Sequence, residues 1–217
     1  MIELTSLPLH TLSALEWIGT AAFAISGVLS AMRKNMDMVG VCVCGFLAAF
    51  GGGTLRDILM DRRPFFWADH QAVLIGVCVL CVGVTTFFRQ HQLERRQNIL
   101  QTADAIGLGL FTASGMHLSW SSGQPAVVAV MMGVITGTFG GVLRDVVCNE
   151  IPQLFHDHRP YAVCALAGCV SYAVLSTSSS ASWLTVTACA VITISLRLLA
   201  LWLNWRLPAI AREQVDD

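Results

Sequence analysis

Two Arg-Asp pairs stand in apolar surroundings where charge is expensive. Arg56 and Asp57 follow Gly51, Gly52, Gly53 and Thr54, while Arg144 and Asp145 come shortly after Thr138, Phe139, Gly140 and Gly141. Each arginine lies three residues beyond the last glycine, about 5 Å along a helix that rises 1.5 Å per residue. Ionisable side chains inside a membrane span cost at least about 2.5 to 3.5 kcal/mol on insertion scales, so they face a cavity or a partner and mark function. Two kinds of chemistry are open to them. The aspartates can balance the arginines and leave a neutral, wet centre where backbone carbonyls coordinate a cation, or each arginine is a gate or receives an anionic group such as a substrate carboxylate. Neighbouring helical residues point about 100° apart, so Arg56 is poorly placed to pair with Asp57 and a cross-helix partner is expected.

A second acidic pair, Glu16 and Asp104, shares the spacing of the first: all these matches are 88 residues apart. Comparing residues 18 to 83 with 106 to 171 gives 17 identities in 66 positions without a gap. Among them are Phe23 with Phe111, Ser26 with Ser114, Pro64 with Pro152, and Asp69-His70 with Asp157-His158. One unit has been duplicated, and each element that positions an arginine must therefore exist twice.

Composition decides where the units sit. Of 217 residues 55% are apolar and 12% charged, against roughly 25% charged in an average soluble domain. Mean hydropathy is +0.65. These values describe a membrane protein in contact with lipid. A net charge of -1 gives no basic surface for nucleic acid. The eight cysteines sit mostly in apolar runs as small hydrophobes, and Cys78-x-x-Cys81 has no His or second cysteine pair at zinc spacing, which reads against a zinc or redox site. There is no GxSxG elbow, HExxH, Walker loop or GxGxxG after a strand, so the chain does not read as an enzyme and calls for no cofactor.

Apolar spans are expected at 13–32, 38–60 and 71–88, then, after a polar connector at 89–102, at 103–120, 126–148 and 160–176, with an unpaired seventh at 183–204. The fold class is thus an all-α membrane protein: a single domain over 1–217, with a first three-helix repeat at 13–88, a second at 101–176 and a seventh helix at 183–205. Three crossings are an odd number, so the second repeat is inverted relative to the first. Basic residues set the orientation: Arg33, Lys34, Arg89, Arg95, Arg96, Arg144, Arg159, Arg206 and Arg212 fall on one side against Arg56, Arg62 and Arg63 on the other. The N-terminus is expected outside and the C-terminus in the cytoplasm.

Each glycine inside a helix costs about 1 kcal/mol relative to alanine, so the second and fifth spans are expected to kink or unwind at Gly51–Gly53 and Gly140–Gly141, against protein or a water-filled cavity. The packing alternative rests on Gly45, Ala49 and Gly53, and on Gly133, Gly137 and Gly141, which recur every four residues as stripes that let helices approach closely. Glu16 and Asp104 are expected at opposite mouths, where acidic groups concentrate cations. Ser26, Ser114, Thr54, Thr136 and Thr138 could line the route. His117 reads as a helix-end residue, His70, His156 and His158 as solvated, and Arg197 as snorkelling or pairing with a neighbouring helix.

The GGGTLRD and FGGVLRD motifs with their prolines, the FAISG and FTASG segments and the three-plus-three-plus-one hydropathy resemble the prokaryotic trimeric intracellular cation channel (TRIC) family, also labelled as glycine transporter domains. The resemblance implies a homotrimer in the plasma (inner) membrane of a prokaryote. Each protomer would hold its own pore, lined by kinked helices 2 and 5 and permeable to monovalent cations, chiefly potassium held transiently at the two kinks. It departs at Phe139, where the second copy lacks the first of three glycines. Uptake or exchange of glycine at the same midplane site is the alternative function.

Overall fold

A computed structural model describes residues 9–68, 71–88, 93–156, 159–177 and 182–206. The matched Asp69-His70 and Asp157-His158, together with Arg89 and Arg212, lie outside the described residues. Among the described residues the secondary structure is helical: α1 (Leu9–Arg33), α2 (Met38–Leu59), α3 (Gln71–Phe88), α4 (Leu93–Ser121), α5 (Ala126–Val147), α6 (Gln153–His156), α7 (Ala162–Thr177) and α8 (Ser182–Trp202). α2 and α5 begin and end 88 residues apart, as the duplication requires.

The ends of these helices repeat as well. Past α2, Asp61 takes a left-handed conformation (φ 51°), and its N–H and that of Arg62 reach back to the carbonyls of Ile58 and Asp57; past α5, Asn149 (φ 54°) and Glu150 reach Val146 and Asp145. This is the two-bond closure that satisfies the last carbonyls of a helix, and Asp and Asn tolerate it better than bulkier residues. Asn35 after α1 and Gly123 after α4 close their helices in the same way.

Among the described residues four helices are long and apolar enough to cross a membrane: α1 over Leu12–Arg33, α2, α5 and α8. α3 and α7 are apolar but shorter. α4 differs from the expected 103–120 span. It starts at Leu93 and turns most of the polar connector into helix, because LERRQNILQT contains no glycine or proline and is rich in helix formers. The short α6 has no counterpart in the sequence reading.

α1 packs on α2 and α4, α2 on α5, and α8 against α4 and α7. The centre is symmetric. Phe23 and Phe111, equivalent positions, stack with ring centroids 5.6 Å apart. Gly19 lies against Phe111 and Gly107 against Phe23, so α1 and α4 run antiparallel. At the α2–α5 crossing Gly52 lies on the carbonyl of Thr136 and Gly140 on that of Ala48, again equivalent and antiparallel contacts.

This crossing corrects the expectation of an unwound segment. α2 remains one α-helix through Gly51–Gly53, and α5 through Phe139–Gly141. Tertiary packing outweighs the intrinsic cost of the glycines. Gly51 accommodates Leu143, Gly53 the ring of Phe66, and Gly141 the hydroxyl of Tyr161, so a side chain at any of them would displace a neighbour. Gly45 and Gly133 likewise admit the sulfurs of Cys81 and Cys169.

A β-carbon at Gly52 or Gly140 would run into backbone, whereas Gly76 on α3 faces open space. Gly52→Val and Gly140→Val are therefore expected to lower stability by at least about 1–3 kcal/mol, the usual cost of overpacking. Thermal unfolding in detergent, with Gly76→Val as the control for helix propensity, checks this; equal midpoints for all three would remove the close crossing.

Candidate functional site

Both arginines lie in the last turn of a helix, where positive charge suits the helix dipole, and both are 1% exposed. Charge cannot be buried so deeply without partners: each arginine is held by two carboxylates and a serine, while Nη2 of Arg144, unlike that of Arg56, has no hydrogen-bond partner among the described residues. Arg56 Nη1 donates to Glu16 Oε1 on α1 at 2.6 Å and to Ser114 Oγ on α4 at 2.9 Å. Its Nε donates to Asp57 Oδ1 at 2.9 Å, and Nη2 approaches the same oxygen to 2.8 Å. Ser114 Oγ donates in turn to Glu16 Oε1 at 2.8 Å. The other oxygen of Asp57 accepts the backbone N–H of Phe66 at 3.1 Å.

The second cluster copies the first. Arg144 Nη1 donates to Asp104 Oδ1 on α4 and to Ser26 Oγ on α1, while Nε donates to Asp145 Oδ1 at 2.8 Å. Asp145 Oδ2 accepts the N–H of Gln153 at 2.8 Å. Each first helix of a repeat thus gives its acid to its own arginine and its serine to the arginine of the other repeat. The clusters join the halves, alongside the Phe23–Phe111 stack and the α2–α5 crossing.

Two expectations change here. Arg56 and Arg144 do pair with Asp57 and Asp145: although adjacent helical positions diverge, the guanidinium sits far enough along a flexible side chain to turn back onto the next carboxylate. Glu16 and Asp104 do not stand at open mouths but are buried counter-ions, 9% and 1% exposed. The cross-helix partner that the arginines were expected to need is this pair of acids.

Among the other candidate residues, Thr136 and Thr138 donate to their own helix at Met132 and Val134, as threonines in spans commonly do. Thr54 accepts the indole N–H of Trp67 at 2.9 Å. Phe139 is half-buried beside the crossing. His117 is buried within α4 and lies 2.8 Å from Tyr172 Oη. Arg197 is buried, donating to the carbonyl of Pro160 at 3.0 Å and lying 4.7 Å from the Tyr161 ring centroid.

Sequence reasoning missed Tyr161, whose hydroxyl donates to Asp104 Oδ1 at 3.3 Å. Its equivalent position is Val73, so the duplication offered no signal. It also missed the ring of Phe66, 5.6 Å from the Arg56 guanidinium. The clusters are therefore alike in their ion pairs and different in what covers them: Phe66 over the first, Tyr161 with Arg197 behind it over the second.

Removing an arginine strands two buried carboxylates. Arg144→Met is expected to destabilise by about 3–5 kcal/mol, and Ser26→Ala or Ser114→Ala by about 1.5–3 kcal/mol for a lost bond to a charged group. Unfolding by SDS in mixed micelles measures this; parent-like behaviour of Arg144→Met would contradict the cluster, and further replacement of Asp104 and Asp145 by Asn should recover part of the loss.

With this geometry in place, similarity to other proteins is informative. The profile of the glycine transporter family matches residues 13–90 and again 101–177. The chain is 34% identical over 200 residues to the UPF0126 inner membrane protein YadS of Escherichia coli, covering 92% of this chain and 96% of that one. It is 35% identical over 178 residues to a UPF0126 membrane protein of Vibrio cholerae, covering 82% and 74% respectively. Among solved structures, the TRIC trimeric intracellular cation channel orthologue from Rhodobacter sphaeroides superposes with a TM-score of 0.83 at 32% identity, covering 90% of this chain and 99% of that one. A prokaryotic TRIC channel in 0.5 M KCl gives a TM-score of 0.85 at 29% identity, covering 92% and 100%. The double family match falls on the two halves that share the arginine clusters, and the chain belongs to the glycine transporter, or TRIC, family of membrane proteins.

Proposed function

We propose that this protein is a multi-pass inner-membrane channel for monovalent cations, permeable to potassium, with one pore in each protomer of a homotrimer. The observation that carries the reading is the composition of the two buried clusters. Each sets two carboxylates against one arginine beside a glycine-lined crossing of α2 and α5. With the acids ionised, the three charged groups of each cluster sum to a formal charge of -1, which favours a cation and disfavours an anion near the crossing. The solved relatives support the choice, since they are TRIC cation channels and the Rhodobacter sphaeroides protein is trimeric.

In this reading the seven longer helices cross the bilayer as two inverted repeats plus α8, with the N-terminus outside and the C-terminus in the cytoplasm. Gly51, Gly52, Gly53, Thr54, Thr138, Phe139, Gly140 and Gly141 border the route, and potassium rests transiently at bends of α2 and α5. The crossing seals that route while Gly52 stays on the Thr136 carbonyl and Gly140 on that of Ala48. Conduction therefore requires α2 and α5 to part, and the arginine clusters are hinges that keep the repeats joined while they do.

The second reading, transport of glycine or another small zwitterion, is favoured by the family's name. At Arg56 a substrate carboxylate would then have to displace Glu16, Asp57 or Ser114, whereas at Arg144 Nη2 is without a hydrogen-bond partner among the described residues.

Reconstitution into liposomes separates the two. A channel gives unitary currents that reverse at the potassium equilibrium potential, and Glu16→Gln lowers the conductance several-fold by removing one negative charge. Saturable uptake of labelled glycine without unitary steps would replace the channel by the transporter.

A further inference from the structure

Cys44, inside α2, and Cys148, which caps α5, face each other with their sulfurs 3.7 Å apart. Both are buried, and they come from different repeats. The positions 88 residues away are Met132 and Met60, so the symmetry-related end of the crossing carries no thiols. Ser30 Oγ lies 3.3 Å from the Cys148 sulfur, and the Cys44 thiol points at the Arg144 carbonyl oxygen at 4.0 Å. The pair thus sits between the two helices that must separate, against the backbone of the residue that anchors the second cluster. A disulfide needs its sulfurs about 2.05 Å apart, so the two must close by less than a bond length and a half from where they stand.

We propose that Cys44 and Cys148 form a reversible disulfide that ties α2 to α5, with hydrogen peroxide or another small peroxide as the oxidant. The sulfur of Cys148 attacks one peroxide oxygen and the O–O bond breaks; with hydrogen peroxide this leaves Cys148 as a sulfenic acid and releases one water. The Cys44 sulfur then displaces the sulfenic hydroxyl, which leaves with the thiol proton as a second water. Two thiols have lost two protons and two electrons, and the peroxide has been reduced to two waters. Cys148 reacts first because the Ser30 hydroxyl can donate to its thiolate.

The link holds the crossing in its sealed arrangement. That consequence rests on the channel reading above, whereas the link itself does not. The test uses the full-length protein in liposomes, treated with hydrogen peroxide, then blocked with an alkylating agent and analysed by mass. The expected result is a species about 2 Da lighter before alkylation, two hydrogens having been lost, with a cross-linked peptide joining the segments that contain Cys44 and Cys148. Dithiothreitol should reverse it. Cys44→Ser and Cys148→Ser should abolish it, and Cys169→Ser should leave it intact. Absence of that peptide, or its persistence in either of the first two variants, overturns the proposal.

Currents from the same liposomes provide the second readout. Loss of most of the current on oxidation, restored by dithiothreitol and absent in Cys44→Ser, supports the lock. A disulfide that forms without changing a measurable current overturns the lock and leaves the modification standing. If untreated liposomes carry no current, the channel reading fails while the mass result still decides the disulfide.

Discussion

Two guanidinium groups enclosed by apolar helices set the terms for the rest of this protein. Neither can be left without counter-charge, since an uncompensated buried charge costs several kcal/mol, and neither can be satisfied from its own repeat alone. Arg56 draws Glu16 from α1 and Ser114 from α4; Arg144 draws Asp104 from α4 and Ser26 from α1. The register of four helices follows from these bonds. A slip of one residue in α1 would break a contact in both clusters, so the polar groups specify the arrangement that apolar packing alone would fix only loosely.

Glycine does the complementary work. At Gly52 and Gly140 the helices approach until backbone touches backbone, which brings the last turns of α2 and α5 into reach of α1 and α4. The ion pairs need that proximity, and the proximity needs residues without side chains. Close packing and buried polar bonding thus take over the stabilising role that water exclusion has in a soluble core, as expected where lipid is as apolar as the helix surface.

Much of this was legible in the residues. The offset of 88 exposed the duplication, and the apolar composition with charges confined to a few matched positions pointed to a membrane bundle whose arginines matter. Glu16 and Asp104 were recognisable as a pair, yet their role was not, because a carboxylate near a helix start looks the same whether it meets solvent or an arginine 40 residues away. The glycine run was ambiguous for a related reason: helix propensity describes an isolated segment, and the decision between unwinding and close packing belongs to the partner helix. Tyr161 and the backbone donors of Phe66 and Gln153 were out of reach, since they depend on how the segments after each Asp fold back. The nearness of Cys44 and Cys148, 104 residues apart, was invisible in the same way.

The stack of Phe23 on Phe111 has a consequence for the history of such a chain. A residue that meets its own equivalent across an axis contributes the same shape to both sides, as do the serines traded between the clusters. An ancestral unit of half the length would have met a second copy of itself, antiparallel, through this face. Once fused, each half was free to change separately, and Val73 and Tyr161 show how far the two have since diverged while still sharing one seam.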